Sequence, residues 1–153
     1  MPNESFGPVA IIPGRVALFG IPAPGRTAWY ATGRMRRILI VEDEPDALEL
    51  LVAWVQHQRG WEIRSAQSGK SAIEISSTFK PDVVISDYLL EDEVTGVDVI
   101  AEVQSHDTPV RCVLVTGVLR KALIDAQRIS GVPILTKPLD FRRLQRIISE
   151  PPS

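Results

Sequence analysis

Ile38-Leu39-Ile40-Val41-Glu42-Asp43-Glu44-Pro45 sets the reading of the chain. Four consecutive apolar residues, rich in β-branched types, have the length and composition of a strand buried on both faces. The run breaks into carboxylates, and Pro45 then suits the first turn of a helix, where its missing N–H has no partner to lose. Leu48, Leu51, Val52 and Val55 follow at i, i+3, i+4 and i+7, which predicts a helix running to about Arg59, before Gly60.

The same alternation continues outward from this unit. Trp61-Glu62-Ile63-Arg64-Ser65 alternates at period two, as a half-buried edge strand does, and Ser71–Phe79 reads as a short helix ended by Lys80-Pro81. Val83-Val84-Ile85 is a third strand, followed by a helix over Gly96–Gln104 with Val97, Ile100 and Ala101 inward. Cys112-Val113-Leu114-Val115 is the fourth strand and Leu119–Ser130 the fourth helix, closed by Gly131. Val132–Thr136 is the fifth strand, and Asp140 caps a last helix with Phe141, Leu144, Ile147 and Ile148 inward. The repeat is (βα)5. Strands that read as continuous apolar runs between helices imply an α/β fold with a doubly wound, five-stranded parallel sheet covered on both faces.

Residues 36–150 carry this pattern, whereas residues 1–35 do not. The first 35 hold five of the twelve prolines and five of the ten glycines, a density that breaks helices and ladders alike. Arg15, Arg26 and Arg34 against Glu4 make them basic by two, leaving 14 basic and 18 acidic residues in the remainder. The apolar stretches at 9–12 and 16–23 lack a preceding basic region and are interrupted by Arg15, which argues against a signal peptide. Two readings of this segment stay open: a disordered extension, or an upstream translation with Met35 as the natural start.

With 17 Lys+Arg, 19 Asp+Glu and a formal net charge of -2 in 153 residues, the chain has no broad cationic field for nucleic acid or an acidic membrane. One cysteine, Cys112, excludes an internal disulfide framework and a Cys-rich zinc site. No apolar stretch approaches the roughly 20 residues that span a bilayer. The expected location is cytoplasmic.

In doubly wound sheets ligands sit beyond the carboxyl ends of the strands. There the sequence places Glu42 and Asp43 after the first strand, Asp87 after the third, Thr116 after the fourth and Lys137 after the fifth. Three carboxylates at one rim repel one another unless a cation joins them. Oxygen ligands without nearby histidine or cysteine point to Mg²⁺, which commonly bridges to phosphate. Thr116 can donate one hydroxyl hydrogen bond and Lys137 a point charge to a transferring phosphoryl group. Asp87 is left as the nucleophile, forming an aspartyl phosphate.

Four stretches, Ile38 to Glu44, Pro81-Asp82-Val83-Val84-Ile85-Ser86-Asp87, Val113-Leu114-Val115-Thr116-Gly117 and Leu135-Thr136-Lys137-Pro138, together resemble the receiver domain of two-component response regulators, over Arg37 to about Ile148. The resemblance implies a flavodoxin-like sheet of order 2-1-3-4-5. It implies that Glu42 and Asp43 hold Mg²⁺ with Asp87 and the Leu89 backbone carbonyl, that Asp87 is the phosphoacceptor, Thr116 the switch hydroxyl and Lys137 the phosphoryl contact, with a cis bond to Pro138. The phosphoryl donor implied is a histidine kinase or a phosphotransfer protein, and a homodimer would use the face of the fourth helix, fifth strand and fifth helix. Asp87-Tyr88-Leu89-Leu90 with Thr95-Gly96-Val97-Asp98-Val99-Ile100 is similar to receivers of hybrid sensor kinases. Two positions depart from the family pattern: Glu91 stands where a proline is often found, and Ile134 where an aromatic switch residue is usual. Leu89 and Val118, two beyond Asp87 and Thr116, cannot orient an attacking water, which predicts slow self-dephosphorylation.

Three other readings compete with the receiver. Ser68-Gly69-Lys70-Ser71 has the tail of a P-loop, but Arg64 stands where that motif needs glycine. An aspartyl-phosphate phosphatase would carry a second aspartate where Leu89 stands, which leaves it the minor enzymatic rival. A scaffold that binds partners without phosphorylation is the third. His57 and His106 read as solvated surface residues, Cys112 as inert core, Trp54 as packed in or beside the core, and Arg142, Arg143 and Arg146 as a basic helix face. Ser153 follows the fifth helix directly, so a helix-turn-helix output is not expected and the signal would pass through another protein.

Overall fold

The computed structural model describes residues 34–150 and, before them, the pairs Ile11–Ile12 and Arg15–Val16, which form a two-stranded antiparallel ladder. The chain divides into two compact units, Met1–Met35 and Arg36–Ser153. The rest of the proline- and glycine-rich segment lies outside the described residues.

The second unit is the expected (βα)5 repeat. Its strands are β1 (Arg36–Val41), β2 (Trp61–Ala66), β3 (Val83–Asp87), β4 (Arg111–Thr116) and β5 (Ile134–Thr136). The helices that follow them are α1 (Pro45–Gln56), α2 (Gly69–Phe79), α3 (Gly96–Gln104), α4 (Leu119–Asp125) and α5 (Phe141–Ser149). All four pairings in this sheet are parallel, in the order β2-β1-β3-β4-β5, that is 2-1-3-4-5.

Alternation along the strands divides the core in two. Ile38 and Ile40 of β1, Val83 and Ile85 of β3 and Val113 and Val115 of β4 face α1 and α5, where Leu51, Val55, Leu144 and Ile148 cover them. Leu39, Val41, Val84, Cys112 and Leu114 face the other layer, built from Ala72, Val97, Val99, Ile100, Val103 and Ala122. Each fully buried aliphatic side chain contributes about 1.5–3 kcal/mol relative to exposure, so both faces stabilise the same register. Burial falls off on β2, as an edge strand requires. Trp54 packs against the first of these layers, that of α1 and α5, from its margin, with its ring centroid 5.1 Å from that of Phe141.

Several boundaries differ from the sequence expectations, each for a local reason. α1 stops at Gln56 because the Gln58 N–H turns back to the Val55 carbonyl, and Gly60 at φ 92 then redirects the chain. α4 ends at Asp125, short of Ser130, and continues as a tighter 3-10 turn over Ala126–Arg128. That turn accompanies the Arg128 guanidinium bridging Asp125 (2.9 Å) and Asp98 of α3 (2.8 Å). β5 begins at Ile134 because Pro133 has no N–H for the ladder, although its carbonyl still accepts from Leu114 N at 3.0 Å. In α3, Ala101 is half-buried, and Val99 and Val103 take the inward positions beside Val97 and Ile100. Among the described residues no helix is long and apolar enough to cross a membrane.

Candidate functional site

Parallel register brings the strand ends to one rim. Val41 pairs with Ser86, so Glu42 and Asp87 leave adjacent strands side by side. Asp87 pairs with Val115, and Thr116 with Thr136, which sets Thr116 and Lys137 on the other flank of Asp87. The peptide bond between Lys137 and Pro138 is cis.

Glu42, Asp43 and Asp87 each offer a carboxylate oxygen within 4.8 Å of the others. Glu42 is 3% exposed and Asp87 8%. The Lys137 ammonium donates to Asp87 Oδ2 at 2.7 Å and to Glu42 Oε2 at 3.3 Å. Burial, with the charge of Asp87 beside it, raises the Glu42 carboxyl above its ordinary range despite Lys137 and a hydrogen bond from the Glu44 N–H. Burial works to lower the Lys137 ammonium, but its hydrogen bond to Asp87 and the two carboxylate charges outweigh this and raise it. One ammonium against three carboxylates leaves the cluster net negative.

The donor set fits a hard divalent cation. It consists of oxygens alone, and among the described residues no hydrogen bond ends on the Leu89 carbonyl, which leaves that oxygen available as a further ligand. Thr116 is buried at 1% exposure, its carbonyl accepts from Lys137 N at 2.9 Å, and its Oγ1 accepts from Val118 N at 2.9 Å. The side chains of Leu89 and Val118 are exposed at 45% and 41%. Ile134 is half-buried and packs against the core layer that contains Tyr88.

Residues that the strand-end reading passed over hold these groups in place. A methyl built on Gly96 would collide with the carbonyl of Asp87, so only glycine permits α3 to start this close to β3. The Gly96 N–H donates to Tyr88 O and the Tyr88 N–H to Val115 O, both at 2.8 Å, while Ser86 Oγ donates to Asp87 O at 2.9 Å. The Tyr88 side chain is 2% exposed; its hydroxyl is raised by burial and by its hydrogen bond to Asp125. Thr95 and Asp98 form a reciprocal capping box at the start of α3, which a threonine three residues before an acid signals in the sequence. Asp92 binds the start of α2 through Gly69 N and Lys70 N, a contact across more than twenty positions that no local pattern announces.

His57 is exposed, and His106 is half-buried with its Nε2 3.8 Å from Glu102. Arg142, Arg143 and Arg146 are exposed on α5, while Cys112 is buried in β4.

Residues 38–149 match the family model described as "Response regulator receiver domain". TrcR, a transcriptional regulatory protein of Mycobacterium tuberculosis, is 32% identical over 119 residues, which make up 74% of this chain and 44% of that protein. PilR, a response regulator protein of Pseudomonas aeruginosa, is 33% identical over 116 residues, 74% of this chain and 25% of that protein. The chain thus spans less than half the length of these curated relatives. Among solved structures, TrrA of Thermotoga maritima in complex with Mg²⁺-BeF superimposes with a TM-score of 0.64 at 26% identity, covering 74% of this chain and 96% of that one. The receiver domain of an HD-domain protein from Pseudomonas fluorescens gives a TM-score of 0.68 at 21% identity, with coverage of 75% and 92%.

Proposed function

The chain belongs to the response regulator receiver domain family, and on that premise we propose that Asp87 is its phosphoacceptor in a Mg²⁺-dependent transfer. The donor is a phosphohistidine on a histidine kinase or phosphotransfer protein. An Asp87 carboxylate oxygen attacks phosphorus, the P–N bond breaks, the imidazole leaves with its electron pair, and an aspartyl phosphate forms. Glu42, Asp43, Asp87 and the Leu89 carbonyl would hold Mg²⁺, which when bound supplies positive charge to the phosphoryl oxygens.

The chain's own residues do the rest. Lys137 holds a cation beside the transferring group, and the Thr116 hydroxyl exchanges its present bond with Val118 N for one donated to a phosphoryl oxygen. That exchange releases the start of α4, whose exposed Leu119, Leu123 and Ile124 belong to the face of α4, β5 and α5 that meets a downstream protein or a second copy. The setting proposed for these reactions is the cytoplasm.

The observation that carries this reading is Lys137 Nζ at 2.7 Å from Asp87, inside a cluster of three carboxylates. Intact mass after incubation with Mg²⁺ and acetyl phosphate tests it. The expected product is one hydroxylamine-labile phosphoryl adduct, absent from Asp87→Asn. Wild type without an adduct would refute phosphoacceptance and leave a phosphorylation-independent scaffold.

A further inference from the structure

The loop from Tyr88 to Thr95 joins β3 to α3 and carries the Leu89 carbonyl. Its two ends are tied by backbone hydrogen bonds, Tyr88 N to Val115 O and Gly96 N to Tyr88 O. Its middle has no proline and holds three successive acids, Glu91, Asp92 and Glu93, whose mutual repulsion favours an open loop. What draws the middle inward is chiefly one side chain. Asp92 Oδ1 accepts from Gly69 N and Oδ2 from Lys70 N, each at 2.9 Å, so both carboxylate oxygens grip the first two residues of α2. A second contact lies beside it: Val94 sits so close to Gly69 that a methyl there would strike its side chain and carbonyl.

α2 needs little of this for itself. Ser68 already caps it locally, accepting from Ser71 N at 3.1 Å, and two N–H groups at a helix start can be satisfied by water. The bidentate bond is therefore informative mainly about the loop. The backbone hydrogen bonds also hold the Asp92 carboxyl below its ordinary range against a raising effect of burial, so the clamp stays ionised at neutral pH.

We infer that Asp92 is a positioning residue for the metal site: by clamping the loop to the start of α2 it fixes the backbone that presents the Leu89 carbonyl. The inference rests on the proposed Mg²⁺ site at Glu42, Asp43, Asp87 and Leu89.

Mg²⁺ titration by calorimetry, with hydrogen exchange of the loop amides, tests the clamp without any phosphodonor. Asp92→Ala is expected to weaken Mg²⁺ binding about tenfold, the low end for losing a group that orients a metal ligand, and to speed exchange across Leu89–Val94. Gly69→Ala, which alters no charge but pushes Val94 away, should act in the same direction. Ser68→Ala, which removes the local cap alone, and Glu93→Gln, which removes a neighbouring charge alone, should leave the affinity within about twofold. Wild-type affinity in Asp92→Ala, or an equal loss in Ser68→Ala or Glu93→Gln, would overturn the inference while the metal site stood. Wild type that binds no Mg²⁺ would overturn the metal site itself.

Discussion

Lys137 Nζ lies 2.7 Å from Asp87 Oδ2 and 3.3 Å from Glu42 Oε2, so the fifth strand's ammonium occupies the mouth of a carboxylate cluster built by the first and third. The same charge that suits a phosphoryl group opposes a divalent cation at the carboxylates. Lys137→Met should therefore bind Mg²⁺ more tightly, by about fivefold for a partly solvated unit charge a few ångströms away. Labelling by acetyl phosphate should become slower in the same variant. Calorimetry and intact mass, run side by side, separate the two effects; weaker Mg²⁺ binding would contradict the electrostatic argument.

Gly96→Ala places a methyl against the carbonyl of Asp87, where backbone rather than a flexible side chain must give way. The expected cost is ~1–3 kcal/mol of stability, with a lowered urea midpoint and a loss of phosphoryl labelling in the protein that remains folded. Full labelling at wild-type stability would show that α3 can retreat without moving Asp87.

Asp98 links stability to pH. Burial alone would raise its carboxyl, but hydrogen bonds from Arg128 and from Thr95 outweigh that and hold it below the ordinary value of 3.8. Because the folded-state value is the lower one, the stabilisation is complete above the unfolded-state value and is lost as pH falls through the folded one. Both partners are partly solvated, so the effect is below about 1 kcal/mol. Urea midpoints between pH 7 and pH 2.5 should show a shallower acid decline in Asp98→Asn than in wild type; parallel curves would exclude Asp98 as a contributor.

Cys112 is 3% exposed in β4, and burial pushes its thiol up to about 12. Iodoacetamide at pH 8 should leave the native protein unmodified and add one carbamidomethyl group once urea unfolds it. Native-state alkylation at the unfolded rate would mean that β4 opens freely. The result also bears on the phosphoryl adduct, since an inert thiol cannot be its attachment point.

Leu89 and Val118 present exposed apolar side chains beside Asp87 and Thr116. Leu89→Asn supplies a polar group able to orient water and should shorten the aspartyl-phosphate lifetime about tenfold, with Mg²⁺ affinity unchanged because the ligand there is the backbone carbonyl. Mass-spectrometric decay of the adduct after donor removal measures it. An unaltered lifetime would relocate control of hydrolysis elsewhere.

The fold was readable because its signals are periodic and local. Ile38 to Val41 can satisfy four apolar side chains only between two covered faces, and Leu48, Leu51 and Val55 repeat at the helical period, so the chain's order of strands and helices follows from short windows. Chirality of the crossovers then restricts the sheet order, and with it the rim at which Glu42, Asp43, Asp87, Thr116 and Lys137 emerge. Element ends were less legible. The shortening of α4 accompanies Arg128 reaching Asp98, thirty positions away, whereas the late start of β5 follows from the missing N–H of Pro133.

By itself the sequence determined the strand-and-helix repeat, the polar residues closing the first, third, fourth and fifth strands and the family resemblance, since those depend on side-chain type and spacing along the chain. Tertiary structure alone decided that Lys137 bonds to Asp87 and Glu42 together, that Gly96 must lack a side chain, and that Asp92 grips α2. Those are distances between segments far apart in sequence. Hydrogen bonds and steric contacts act over a few ångströms of space, and only the folded sheet converts separations from the nine residues between Asp87 and Gly96 to the 95 between Glu42 and Lys137 into such distances.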